Sequence, residues 1–303
     1  KEAMLKYGSD KPDLRNPLLI EDLTIILSKS TFEPFKTLNI RGIKVDNIDK
    51  SNSWYKKIEE YIKSLGATGM SYIKVNEDMT FKSSIDKFLT DDLRKELIEK
   101  CHLNKGSALF ILADNKHKID KLAGLLRTKL GNELDLINKN KFEFCIINDF
   151  PMYEYNEEEN TWDFGHNPFS MPKGGIEALT KENMENVEAL QFDFVCNGYE
   201  MASGAVRNHN IEIMKKAFEL AGYTEEDVEN KFRSLYTAFQ YGAPPHAGMA
   251  PGIDRILMLL QDEENIREMV AFPLGANGSD QMMGCPNEVF EKQLRETHIK
   301  IRD

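Results

Sequence analysis

Four cysteines in 303 residues, Cys101, Cys145, Cys196 and Cys285, stand without CxxC spacing. A zinc ribbon needs closely paired thiolates, so that class of site is excluded, and isolated cysteines with no secretory signal read as reduced cytosolic thiols. No apolar run approaches the ~18 residues of a membrane span; the best, Ile256-Leu257-Met258-Leu259-Leu260, is one helix face. The charged start Lys1-Glu2-Ala3-Met4-Leu5-Lys6 lacks the apolar core of a signal peptide. A cytoplasmic protein with no membrane partner is therefore expected, and a start without Met points to a piece of something longer. Positive charge is in deficit: 39 Lys+Arg against 50 Asp+Glu give a net charge of -11, which argues against a protein that coats nucleic acid by charge alone. A local basic patch stays open, because a partner responds to the nearby field. Neither a Walker A motif nor a Gly-x-Gly-x-x-Gly fingerprint occurs, which disfavours P-loop and Rossmann nucleotide sites.

What is present is the composition of a soluble globular chain, 41% hydrophobic and 29% charged, long enough for two domains at roughly 150 residues each. Residues 1–16 read as loop, with turn chemistry in Gly8-Ser9-Asp10-Lys11-Pro12-Asp13. Residues 17–141 read as a smaller α+β domain. Its half-buried strand Leu38–Val45 carries a possible bulge at Gly42, and further strands are expected at Ser71–Val75 and Ala108–Ala113. Its helices are expected at Trp54–Leu65, with Trp54, Ile58, Tyr61 and Ile62 on one face, at Leu93–Ile98, and at Ile119–Leu130 closed by Gly131. It holds no catalytic constellation. Residues 142–303 carry the chemistry. A buried strand is expected at Phe142–Ile147, then an acidic loop tip at Glu157-Glu158-Glu159. Strand Gln191–Cys196 turns at Asn197-Gly198, the strongest short hairpin signal, into Tyr199–Arg207. Helices follow at Ile211–Leu220 and Glu225–Tyr241, the second capped by Thr224 with Asp227 three residues on. A last helix opens at Pro251-Gly252-Ile253-Asp254-Arg255.

Asp193 and Glu200 lie on the two arms of the Asn197-Gly198 hairpin. A two-residue turn sets Val195 opposite Glu200, so Asp193 lies diagonally across from Glu200 on the same side. Two carboxylates and a phosphate are a usual Mg²⁺ arrangement; a solvent-facing pair, with Phe192 and Phe194 on the core side, is an equal alternative. Arg207 follows Ala202-Ser203-Gly204-Ala205, small residues that clear space for bidentate capture of a carboxylate. A structural ion pair is the commoner role of a single Arg. Gly252-Ile253-Asp254-Arg255 opens a helix whose N-terminal N–H groups favour phosphate, with Arg255 as a fixed cation. His166 sits in the loop Gly165-His166-Asn167-Pro168-Phe169-Ser170, without metal-ligand spacing to His209 or His246.

Three segments, Phe192–Glu200, Ser203–Asn210 and Gly242–Arg255, resemble in order the C-terminal catalytic half of bacterial aspartyl-tRNA synthetases. Lys6-Tyr7-Gly8-Ser9-Asp10-Lys11-Pro12-Asp13-Leu14-Arg15 is similar to the segment before their inserted domain, and residues 17–141 to that GAD-like insertion. The resemblance implies an α+β fold, with part of a class II antiparallel sheet flanked by helices and the smaller insertion. It implies Asp193 and Glu200 on Mg²⁺, with Glu200 also at ATP, and Arg207 and His166 on L-aspartate. Gly252, Ile253, Asp254 and Arg255 match motif 3, with Arg255 on adenine and the γ-phosphate. The implied reaction makes aspartyl-adenylate from ATP and transfers aspartate to tRNA(Asp), with tRNA(Asn) left open, in a protein that is a homodimer when complete. The family's anticodon-binding barrel and motifs 1 and 2 have no counterpart in these residues, so the 303 residues alone are expected not to activate aspartate. The rivals are a non-catalytic binding fragment and an ATP-dependent, asparagine-forming amide ligase on a related fold.

Overall fold

A computed structural model describes residues 1–156 and 158–302. The chain forms two compact units, Lys1–Ala250 and Pro251–Asp303. The first residues are helical, α1 (Glu2–Tyr7), where loop was expected; Gly8, at φ 66°, ends the helix by donating its N–H to the Met4 carbonyl. The strands β1 (Ile20–Asp22), β2 (Asn39–Val45), β3 (Met70–Val75), β4 (Phe81–Lys82) and β5 (Ala108–Asp114) make an antiparallel sheet of order β1-β2-β5-β3-β4. Helices α2 (Thr24–Leu27), α3 (Pro34–Thr37), α4 (Asn52–Ser64), α5 (Asp91–Cys101) and α6 (Ile119–Glu133) surround it.

Alternation along β5 separates two cores. Ala108, Phe110 and Leu112 pack with α4 and α6, while Leu109 and Ile111 pack with α2 and α5. Helices on both faces explain why β2 is buried almost throughout rather than half-buried. Its pairing with β5 runs without a shift, so Gly42 is no bulge; a Cβ there would meet the Leu23 side chain. In α4 the buried residues are Tyr55, Ile58 and Ile62, with Trp54 and Tyr61 packed at the margin. Helix α5 is longer than expected. Gly131 does not close α6 but lies within it, because its missing Cβ makes room for the Asn16 amide.

Helix α6 also grips the segment that follows α1. Arg127, 2% exposed, gives Nε–H to the Leu18 carbonyl at 2.6 Å and Nη2–H to those of Asn16 and Asp13 at 2.7 and 3.0 Å. Its guanidinium lies over the Tyr7 ring, and Gly8 and Gly124 meet backbone to backbone.

The second sheet consists of β6 (Phe144–Pro151), β9 (Glu188–Cys196), β10 (Tyr199–Val206) and β11 (Ala247–Pro251), in the order β11-β10-β9-β6; the chain from β6 to β9 forms a separate hairpin of β7 (Tyr153–Asn156) and β8 (Thr161–Phe164). Strand β6 is not buried as expected: it is an edge, and Phe144 and Ile146 are more than half exposed. Glu158 and Glu159 are exposed at the β7–β8 turn, while Glu157 of that acidic run lies outside the described residues. Helix α7 (Ile211–Leu220) packs Ala217 and Leu220 with Tyr153 of β7 and Ala189 of β9. One helix was expected over Glu225–Tyr241, but two form, α8 (Glu225–Lys231) and α9 (Arg233–Gln240). Phe232 breaks between them at φ -124°, ψ 30°, which turns its ring onto Phe169 and Phe218. The Thr224–Asp227 capping box forms as expected. In the second unit, α10 (Ile253–Leu260) starts at Gly252, and α11 (Glu291–Glu296) lies near the chain end. Among the described residues no helix is long and apolar enough to cross a membrane.

Arg127→Met should destabilise the first unit by about 3 kcal/mol or more, since each buried carbonyl left unpaired costs ~1–3 kcal/mol. Urea unfolding measures this; an unchanged midpoint would show that the clamp carries no stability.

Candidate functional site

The hairpin β9–β10 opens as its turn dictates, Tyr199 against Cys196 and Glu200 against Val195. The register then shifts between Glu200 and Ala202, a bulge that places Ser203, rather than Ala202, opposite Asp193. The carboxylates still project to one side, but that side is not solvent. Asp193 is 3% exposed and shares the buried face of β9 with Ala189, Gln191 and Val195, whereas Phe192 and Phe194 are only half-buried. The solvent-facing alternative therefore fails for Asp193.

A cation has come to meet the pair. Lys11, from the turn after α1, brings Nζ to 3.7 Å from Asp193 Oδ2 and 3.6 Å from Glu200 Oε2, and donates a 2.6 Å hydrogen bond to Asp10. Burial raises the Asp193 pKa; Glu200 and Asp10 push the same way, opposed by the Ser203 hydroxyl and by Lys11. Burial works against the Lys11 ammonium, yet the hydrogen bond to Asp10 and attraction to all three carboxylates outweigh it and raise its pKa. Asp193 Oδ1 is buried and has no hydrogen-bond partner. A buried carboxylate oxygen left unpartnered beside a second carboxylate is a donor set that fits a hard divalent cation completed by waters or phosphate oxygens. The sequence pattern found the pair but not Lys11, whose only signal was the dense turn chemistry around it.

Arg207 lies just past the end of β10. Its backbone N–H bonds to the His246 carbonyl at 2.9 Å, fixing where the side chain starts. Gly248 of β11 faces the guanidinium, where a Cβ would stand 3.7 Å from Nη2. Among the described residues that guanidinium has no ion-pair or hydrogen-bond partner, so the commoner role of a structural ion pair is absent. Gly204 lets the two strands close up: a Cβ there would collide with the Phe192 ring and the Gly248 carbonyl.

The loop of His166 is wedged at the same end of the sheet. Ser170 bridges to Arg207 and Pro172 to Ala189, so Ser170–Pro172 enters between the ends of β10 and β9. The Asn167 N–H donates to Gln191 Oε1, and the Asn208 N–H to the Phe169 carbonyl. His166 itself is exposed, edge-on to Phe150 at 4.9 Å. Thus the loop of His166 is laced to Gln191 through Asn167 and to Arg207 through Ser170, while the His166 ring itself meets Phe150. Gln191, buried two residues before Asp193 on the same face, escaped the sequence reading, although a polar residue at a core position was its signal. Ser170 and Asn208 are wholly buried with unpartnered side-chain polar atoms, and no pattern marked them.

Gly252, Ile253, Asp254 and Arg255 lie in the second unit. Gly252 caps α10 without a side-chain bond, Ile253 and Asp254 are exposed, and Arg255 is half-buried.

Residues 1–276 match the family described as class II tRNA synthetases (D, K and N). The chain belongs to that family. It is 47% identical over 306 residues to the aspartate–tRNA(Asp/Asn) ligase of Ehrlichia chaffeensis, covering 99% of this chain and 52% of that protein. It is 48% identical over 310 residues to the aspartate–tRNA(Asp/Asn) ligase of Rickettsia bellii, covering 99% of this chain and 52% of the relative. An aspartate–tRNA ligase of Streptomyces coelicolor is 46% identical over 303 residues, 100% of this chain and 52% of its own. This class II synthetase chain thus spans about half the length of the curated relatives it matches. Among solved structures, aspartyl tRNA synthetase from Entamoeba histolytica matches 78% of this chain and 43% of its own, at TM-score 0.34 and 18% identity, too distant to carry an argument.

Gly204→Ala should cost about 1–3 kcal/mol, because the Cβ meets a carbonyl that cannot rotate away. Urea unfolding reads the loss, and a neutral result would mean that β10 and β11 are not held this close.

Proposed function

We propose that these residues form the aspartate- and ATP-binding part of an aspartate–tRNA ligase. The observation that carries the reading is the unpaired Arg207 guanidinium, facing Gly248 at the end of the sheet that buries Asp193, in a chain of the class II family. In this reading residues 1–16 and 142–303 belong to the catalytic domain and 17–141 to an insertion. Arg207 takes the side-chain carboxylate of L-aspartate as a bidentate pair, whose planar geometry rejects the uncharged amide of asparagine. The loop of His166 covers the amino acid and keeps water from it. Asp193 and Glu200 would hold Mg²⁺, which when bound supplies neutralisation of the ATP phosphates. By the motif 3 resemblance, Gly252, Ile253, Asp254 and Arg255 of the second unit serve ATP, Arg255 at adenine and the γ-phosphate. The α-carboxylate oxygen of aspartate attacks the α-phosphorus, the bond to the bridging oxygen breaks, and aspartyl-adenylate and pyrophosphate result. A hydroxyl at the tRNA 3′ end then attacks the activated carbonyl and releases AMP. Positioning and charge stabilisation supply most of the rate in such phosphorus chemistry. The acceptor is tRNA(Asp), with tRNA(Asn) left open as a second, in a cytoplasmic protein that is a homodimer when complete.

ATP–pyrophosphate exchange, run with every amino acid on this chain and on an N-terminally extended form, tests the proposal. Exchange is expected with aspartate, and from the extended form. Exchange driven by another amino acid, or ammonia-dependent asparagine synthesis, would overturn it. In the active form Arg207→Ala should raise the aspartate KM by about 30-fold or more, the scale of a truncated buried charge pair, with little change in the ATP KM. An unchanged aspartate KM would remove Arg207 from the amino-acid site.

A further inference from the structure

Building on the carboxylate-pair reading, we propose that Lys11 is a resident counter-ion for Asp193 and Glu200, which a divalent cation must displace to enter. Lys11 Nζ stands almost equidistant from the two carboxylates, at 3.7 and 3.6 Å, both longer than a hydrogen bond; its one short bond, 2.6 Å, goes to Asp10. Attraction without a directional bond holds the ammonium between the pair, and such a cation leaves easily. A Mg²⁺ ion binds carboxylate oxygens at about 2.0–2.1 Å. Both cations do not share the gap readily, since two positive charges there would face each other at a few ångströms beside the buried Asp193. Asp10, itself partly exposed, remains a hydrogen-bond partner for the displaced ammonium.

Only the side chain has this freedom. The Lys11 N–H donates to Ser9 Oγ at 3.0 Å, and Arg127 of α6 fixes the carbonyls of Asp13, Asn16 and Leu18 just downstream. Upstream, Gly8 abuts Gly124 of the same helix, and the Gly198 turn of the hairpin packs on Asp13 and the Lys11 carbonyl. The reach of Lys11 is therefore set by α6, a helix of the five-stranded sheet, and Arg127 is a positioning residue acting through the turn. This gives the first α+β sheet a physical link to the hairpin carboxylates on the second.

Direct Mn²⁺ titration of the full chain without nucleotide, read by electron paramagnetic resonance of free Mn²⁺, tests this. Lys11→Met should tighten Mn²⁺ binding by about tenfold or more, because the competing charge is gone. Lys11→Arg should bind Mn²⁺ as weakly as the unaltered chain. Unchanged or weaker binding in folded Lys11→Met would overturn the proposal, since a purely structural lysine would not tighten it. Asp193→Asn with Glu200→Gln should abolish binding in every background; if it does not, the carboxylate-pair reading itself fails, separately from the role of Lys11. Should Lys11→Met not fold, the ¹³C-dimethylated Lys11 resonance, assigned with Lys11→Arg, must shift on Mg²⁺ addition. A resonance that stays in place would overturn the displacement.

Discussion

A carboxylate taken out of water needs a proton, a cation or hydrogen-bond donors, and Asp193 sits almost fully buried on an apolar strand. That requirement organises the neighbourhood. Glu200 adds a second negative charge from the facing arm, so the demand for positive charge grows. Lys11 meets it, arriving from a turn that is remote in sequence. The turn reaches because Arg127 has exchanged water for backbone carbonyls and so welded the segment to α6. A buried Arg thus fixes the segment, and a buried Asp attracts the lysine it carries.

The opposite end of the sheet follows a steric rule. β10 and β11 come close because Gly204 offers no side chain, and Gly248 leaves the guanidinium of Arg207 uncovered. The Ser170–Pro172 segment, threaded between β9 and β10, ties the His166 loop to the same place. An anion-seeking guanidinium and a cation-seeking carboxylate pair therefore sit on one small sheet.

Local chemistry was legible wherever a few neighbouring residues decide the outcome. Asn197-Gly198 made its hairpin, Thr224 and Asp227 their capping box, and the alternation of Ala108–Ala113 a strand. Readings failed where a distant group decides. Gly131 looks like a helix stop until Asn16 packs against it, and Phe232 looks helical until its ring is drawn onto Phe169 and Phe218. Phe142–Ile147 looks like a core strand because its composition is apolar, yet composition does not say whether a strand is central or at an edge.

The sequence alone determined the α+β class, the hairpin that carries Asp193 and Glu200, and the small residues leading to Arg207, since each depends on spacing within one segment. Tertiary structure alone decided that the Asp193 face is the buried one, that a bulge sets Ser203 opposite it, and that Lys11 is its counter-ion. Those outcomes depend on which surfaces meet and which charges are left to satisfy each other once water is gone, and separation along the chain does not encode that.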